Sequence, residues 1–187
     1  MIQLLSAFGR KSKGRALWRT LGPVGVYSAE RKRENMKELL HCMDAIPQGV
    51  YLVGTKKGEG YNLMTAAFVT QVSFNPASIA VSVAKPHYTA ELIQAQGEFT
   101  LSILAEDQYQ AAKDCGFQSG RKADKASRVS YHLENGLPVL DGAAAWLHCK
   151  LRETVDFEDH YLFLAEITAG ERTDKAPMIY RSEEFFG

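Results

Sequence analysis

At 187 residues, with 45% hydrophobic and 24% charged residues, the chain has the length and composition of one soluble globular domain. Its net charge of zero hides an asymmetry: residues 1–35 hold eight Lys/Arg against two Asp/Glu, and the remaining residues hold fourteen against twenty. A mildly acidic body excludes a nucleic-acid surface there, because phosphate neutralisation needs clustered cations. No apolar run reaches the ~20 residues needed to span a bilayer, so no membrane role is expected. Three cysteines without CxxC spacing, Cys42, Cys115 and Cys149, argue against a disulfide framework or zinc ribbon and for a reducing, cytoplasmic setting.

In chain order, residues 1–35 form a basic extension expected to lie outside the core fold, with residues 36–187 as the domain. Three origins stay open for it: an organellar transit peptide, a flexible arm, or an upstream start preceding Met36. "MKELLHCMDAI" sets Met36, Leu39, Leu40 and Met43 at helical spacing, and Pro47 and Gly49 end it. "VYLVGTKK" reads as a strand and "KKGEGY" as a hairpin turn. "NLMTAAFVTQVSFNP" follows as one or two strands, and "IAVSVAK" as another. "HYTAELIQAQG" reads as a helix stopped by Gly97, "EFTLSILA" as a strand, and "EDQYQAAKDCGF" as a short helix. "QSGRKADKASRVSYHLENG" reads as a polar loop. "AAAWLHCKLRETVDF" and "HYLFLAEITAGE" are two long strands about a turn at Glu158–Asp159, and "APMIYR" a short last strand. Six or seven strands with two helices, and two close hairpins, predict a mainly β fold: an antiparallel barrel or sandwich with helical insertions.

Signatures of common catalysis are missing. "GEGYNL" lacks the third glycine of a dinucleotide fingerprint and joins two strands, and there is no GxxxxGK[ST], HExxH or GxSxG. The five histidines, His41, His87, His132, His148 and His160, are scattered. His148 and Cys149 are adjacent, so on a strand they face opposite sides and cannot share a metal.

An anion-binding pattern does stand out. "VAKPHYTAEL" puts Lys85 at a strand end and Thr89 in the first turn of a helix, where free N–H groups favour an anion. The blander alternative is a solvated Lys85 and a Thr89 that caps its own helix. "QSGRKADK" adds Ser119, Gly120, Arg121 and Lys125 in a second polar loop. Ahead of both in the chain lies Asn62–Pro76, rich in hydrogen-bonding side chains but free of charged or nucleophilic ones. Together they suggest one ligand with a phosphate tail.

These segments, with "GLPVLDGAAAWLHCKL" and "EDHYLFLAEI", resemble the flavin reductase-like family of FMN-binding split barrels, which includes small ferric and flavin reductases and flavoredoxin-type carriers. The resemblance covers about residues 40–181 with five motifs in family order. It implies a split barrel, a homodimer, and FMN in a groove near the subunit interface. Asn62, Met64, Thr65 and Ala66, with Ser73, Phe74, Asn75 and Ser82, would line the ring and ribityl, largely through backbone groups. Lys85, Tyr88 and Thr89 would meet the phosphate, helped by Ser119, Gly120 and Lys125. His160 would stand beside the ring, where reduced nicotinamide or another substrate stacks, as the catalytic residue.

Two positions depart from the family pattern. Ala67 replaces a frequent Ser or Thr, and Glu158 replaces a frequent Gly before "DH", which puts NADPH preference in question. The resemblance implies an FMN-dependent oxidoreductase moving electrons from reduced nicotinamide, or a redox protein, to flavin, ferric iron or another small-molecule acceptor. The alternatives are a flavoredoxin-like FMN carrier without its own NAD(P)H site, and a flavin-free barrel with a structural or sensory role.

Overall fold

The computed structural model describes residues 23–181 and Phe185. Two compact units divide the chain, one covering residues 8–47 and the other nearly all the rest. In the smaller unit, α1 spans Pro23–Met43, with proline in the first turn, where its missing N–H costs nothing. The helix therefore begins well before the stretch from Met36 that its apolar spacing marks, because the charged run preceding Met36 is also made of good helix formers.

The larger unit is built on nine strands. Seven of them, β1 (Tyr51–Lys57), β2 (Gly60–Ala66), β3 (Val69–Phe74), β4 (Ala77–Ala84), β5 (Glu98–Ile103), β8 (Ala145–Phe157) and β9 (His160–Arg172), form one antiparallel sheet in the order β2-β1-β5-β8-β9-β4-β3. Its two edge strands, β2 and β3, are consecutive in sequence and separated only by Ala67 and Phe68. Seven flat strands would hold those edges nearly 30 Å apart, yet the linker reaches only about 11 Å, so the sheet curls into a barrel. The expected mainly β fold with short helices is thus what the chain adopts.

Strand alternation sorts side chains to two cores. Val53, Met64, Ala66, Val81, Val83, Phe99, Leu101, Cys149 and Phe163 pack with Ala90 and Ile93 of α2 (Tyr88–Gln96). Their neighbours Leu52 and Leu63 face the other way, packing with Leu104 and with Ala112 and Cys115 of α3 (Tyr109–Gly116). β1 and β2 are buried on both faces, which explains their near-continuous apolar runs. Gly97 closes α2 in the left-handed region at φ 72°, donating to the Ile93 carbonyl, as its position predicts.

The segment after α3 is more ordered than a polar loop. A single 3-10 turn at Ala126–Arg128 leads into a small separate hairpin, β6 (Tyr131–Glu134) with β7 (Leu137–Leu140). Its Asn135-Gly136 turn holds both residues at positive φ. The expected final strand is reduced to isolated bridges, Gly49 with Ile179 and Ala105 with Pro177.

Candidate functional site

Two clusters of polar residues gather many of the expected site residues. The first surrounds Asn62, fully buried on edge strand β2. Its Nδ2 donates to the hydroxyls of Thr55 at 3.3 Å and Thr89 at 3.0 Å. Thr89 sits in the first turn of α2, whose N-terminus is not closed by a side-chain cap from His87, so its hydroxyl serves β2 rather than its own helix. Asn62 Oδ1 is buried without a partner among the described residues and lies against Gly120. A Cβ at Gly120 would fall on that oxygen, so only glycine permits the approach. Tyr88 flanks Gly120, and the Arg121 guanidinium lies 4.5 Å from the Tyr88 ring centroid while pairing with Glu91. Lys57 Nζ donates to the Gly120 carbonyl at 2.5 Å.

The second cluster lies at the β8–β9 turn. His160 opens β9 opposite Ala84 of β4, and the Lys85 amide donates to the Asp159 carbonyl. His160 Nδ1 is 2.7 Å from Asp159 Oδ1, and this contact holds the Asp159 carboxyl below the usual carboxylate range. Nδ1 therefore carries the proton it donates to Asp159. His160 Nε2 is buried without a partner among the described residues, and Phe68 packs at 6.1 Å between ring centroids. Ser82 is tied in through its amide, which donates to the Phe68 carbonyl.

Lys85 belongs to this second cluster by its side chain. Its ammonium bonds Asp156 Oδ1 at 2.5 Å and lies 5.3 Å from the Tyr161 ring, and the Asp156 hydrogen bond raises its proton affinity above the ordinary lysine value. Two segments join the clusters: residues 62–68 run from Asn62 to Phe68, and residues 84–89 run from the His160 neighbour to Thr89. Asn62 bonding Thr89 at one end and Phe68 packing on His160 at the other bring the two segments together. β2 pairs only with β1, so alternate backbone N–H and C=O groups along it have no sheet partner.

Other expected residues stand differently. Met64 and Ala66 place their side chains in the core, so they can meet a ligand only through backbone. Thr65 donates its hydroxyl to the Ala112 carbonyl at 2.7 Å, on the α3 side. Ser119 is exposed and its Oγ accepts from the Arg121 amide. Lys125 is buried, and its Nζ caps the end of α3 through the Cys115 carbonyl at 2.9 Å. Ser73, Phe74 and Asn75 lie exposed at the outer edge of β3. Sequence alone did not single out Lys57, Phe68, Asp156 or Asp159; the charged pair Asp159-His160 at a turn was the one local signal for the last. Cys115 and Cys149 are buried thiols that burial pushes up to about 11 and about 12, which makes them inert.

The donor set fits a flavin: buried acceptors with no partner among the described residues, an open strand edge, a helix start without a side-chain cap and a glycine cradle. Among the described residues no cluster could hold a metal ion, and no helix is long and apolar enough to cross a membrane.

Comparison with known proteins points the same way. The chain is 37% identical over 143 residues to the high molecular weight rubredoxin of Moorella thermoacetica, covering 74% of this chain and 62% of that one. It is 30% identical over 136 residues to the NADH-dependent flavin reductase StyB of Pseudomonas fluorescens, covering 71% and 77%. The structure of the NADH:FAD oxidoreductase SgcE6 of Streptomyces globisporus C-1027, in complex with NAD and FAD fragments, superposes with a TM-score of 0.73 at 27% identity, covering 79% of this chain and 88% of that one. The chain spans 62% of the Moorella protein and about a quarter of several diflavin flavoproteins of Nostoc and Synechocystis that it also matches. The family model described as "Flavin reductase like domain" matches residues 43–187, so this split-barrel chain belongs to the flavin reductase-like family.

Proposed function

We propose that the chain is an FMN-dependent oxidoreductase that takes electrons from reduced nicotinamide or a redox protein and delivers them to flavin, ferric iron or another small acceptor. The observation that carries this reading is the pair of buried acceptors, Asn62 Oδ1 and His160 Nε2, that have no partner among the described residues and that the open β2 edge and Phe68 connect, a run that would form the flavin groove. Asn62, Thr89, Tyr88 and Gly120, with the start of α2, would hold the ribityl and phosphate. The β2 edge from Asn62 to Ala66, Ser82 and Phe68 would hold the ring. The flavin supplies the hydride and single-electron chemistry when bound. Asp159 keeps the proton on His160 Nδ1, which leaves Nε2 to orient a donor group or, once protonated, to face developing negative charge.

A homodimer is part of the proposal. β3 is an edge strand with Val72 and Phe74 exposed, at 50% and 94%, and a second copy covering it would bring Ser73–Asn75 into a site. Activity would reside in residues 36–187, in the reducing cytoplasm where Cys115 and Cys149 stay thiols.

The second reading, an FMN carrier without its own NAD(P)H site, is favoured by one feature. Asp156, Glu158 and Asp159 act on the Lys85 ammonium beside His160, and that excess of negative charge disfavours a polyanionic nicotinamide.

Anaerobic addition of NADH to flavin-loaded protein tests both. Bleaching of the flavin absorbance with steady turnover is the expected result. Bound flavin that NADH and NADPH leave oxidised, but that a reduced redox protein bleaches, establishes the carrier instead. Protein that binds neither FMN nor FAD overturns both.

A further inference from the structure

Beside the Asn62 cluster lies a cleft of about 330 Å³ that the flavin groove does not use, lined by Lys57, Tyr61, Asp124, Ser127 and Tyr131 among others. Tyr61 and Tyr131 pack edge-to-face in one wall, with ring centroids 5.7 Å apart and planes at 67°. Both are partly buried against the core behind α3. In such a pair the ring that presents its edge keeps its faces clear of the other, so the wall can offer a face for stacking. At the rim Ser127 Oγ donates to the Asp124 carbonyl at 3.0 Å and the Ser127 amide to Asp124 Oδ1 at 3.4 Å, which leaves the second carboxylate oxygen as an acceptor.

Lys57 connects the two sites. It lines the cleft, and its ammonium reaches the Gly120 carbonyl, which belongs to the Asn62 cluster. Around this bridge the loop places Lys122, Arg128 and Arg121, the last paired with Glu91, against Asp124, while the Lys125 ammonium turns inward to the Cys115 carbonyl. The positive fields overlap: Lys57 and Arg128 each oppose protonation of buried Lys125. Such an excess on the path between an aromatic cleft and a helix N-terminus suits a chain of phosphates. A mononucleotide would leave the cleft empty.

We infer that the Tyr61–Tyr131 cleft is a second subsite that takes the adenosine end of a dinucleotide, with its diphosphate bridging along Lys57 toward Gly120. This rests on the flavin-groove reading for where the other half lies. The adenosine diphosphate half is common to FAD and NADH, and the two sources separate by experiment.

ADP is titrated into the full-length protein by calorimetry, alongside FMN against FAD and reduced nicotinamide mononucleotide against NADH. ADP binding is expected, and at least one dinucleotide should bind tenfold or more tighter than its mononucleotide. A preference confined to FAD assigns the cleft to the flavin, and one confined to NADH assigns it to the electron donor. Ser127→Trp, at an exposed position, should fill the cleft and abolish ADP binding and the preference while leaving FMN affinity unchanged; Tyr131→Leu, which keeps the Ser127–Asp124 bonds, should act likewise. No ADP binding at millimolar concentration, dinucleotides no tighter than mononucleotides, or a preference that survives Ser127→Trp overturns the inference. Loss of the groove reading looks different: FMN fails to bind while ADP still binds in a Ser127→Trp-sensitive way.

Discussion

The Asn62 carboxamide donates to the Thr89 hydroxyl at 3.0 Å, and so ties edge strand β2 to the first turn of α2. Thr55 and Thr89 are both fully buried, and each has Asn62 as its hydrogen-bonding neighbour here. Asn62→Ala would strand two hydroxyls and open a cavity, at a cost of about 2–3 kcal/mol. Urea denaturation should show that loss, and flavin affinity should fall with it because the start of α2 is no longer anchored. An unchanged midpoint would contradict the network.

His160→Ala removes the Nε2 atom at the ring end of the groove but none of the Asn62 cluster. Flavin content should stay near normal, while reduction by NADH slows on the order of a hundredfold. Stopped-flow absorbance under anaerobic conditions separates the two quantities. A variant purified without flavin would make His160 a residue that holds the flavin rather than one that serves the substrate side.

Asp159 offers a pH signature of the same pair. Its folded carboxyl titrates below the unfolded value because of His160, so the contact stabilises the fold above about pH 4 and is lost as pH falls through the lowered value. Asp159→Asn should therefore flatten the acid limb of the stability curve. It should also move the pH profile of reduction, which a merely structural residue would leave in place.

Lys125 predicts a slope of the same sign at alkaline pH. Burial pushes its ammonium from 10.5 down to about 8, so the cost of the buried charge is fully present below pH 8. Above it the unfolded chain holds a proton that the folded one has shed, and stability rises with pH. Cys115 and Cys149 act in reverse, since the unfolded thiols ionise near 9 and the folded ones only at about 11 and about 12. Stability should rise between about pH 8 and 9 and fall beyond. Lys125→Met should remove the rise and keep the fall, as denaturation at stepped pH would show.

Glu158 occupies the hairpin turn at φ 46°, where a side chain strains the backbone. Glu158→Gly should stabilise the fold by about 0.5–1 kcal/mol, the relief being partly offset by the freer unfolded chain. It also removes one of the carboxylates near Lys85, so any affinity for NADPH should rise. Thermal denaturation and nucleotide titration check the two effects separately.

Element types were legible wherever period and punctuation agreed, as in α2 with its closing Gly97 and the long β8–β9 hairpin. Partnership was less so. Asn62 and Thr89 could be marked as hydrogen-bonding residues, but that they bond each other depends on where the sheet curls. Lys125 shows the limit most plainly: a lysine in a glycine-containing loop has the composition of an anion site, yet its ammonium turns inward to a helix end. Lys85 likewise meets Asp156, a residue distant in sequence that the β4–β9 and β9–β8 pairings together bring near. Residue type reports what a group can do; direction comes from tertiary structure.

The two-residue link Ala67-Phe68 also governs how the chain must assemble. β2 and β3 are sequence neighbours that never pair, so no early hairpin forms between them. The sheet instead waits for distant partners, Val53 with Leu101, Phe99 with Cys149 and Val81 with Phe163. Local hairpins β1–β2, β3–β4 and β8–β9 can form early, but joining them needs these long-range pairings, which places folding in the slow, millisecond-to-second regime. Until the C-terminal β8–β9 hairpin arrives, β5 and β4, the strands it bridges, are additional open edges, which makes the nascent chain most prone to association there.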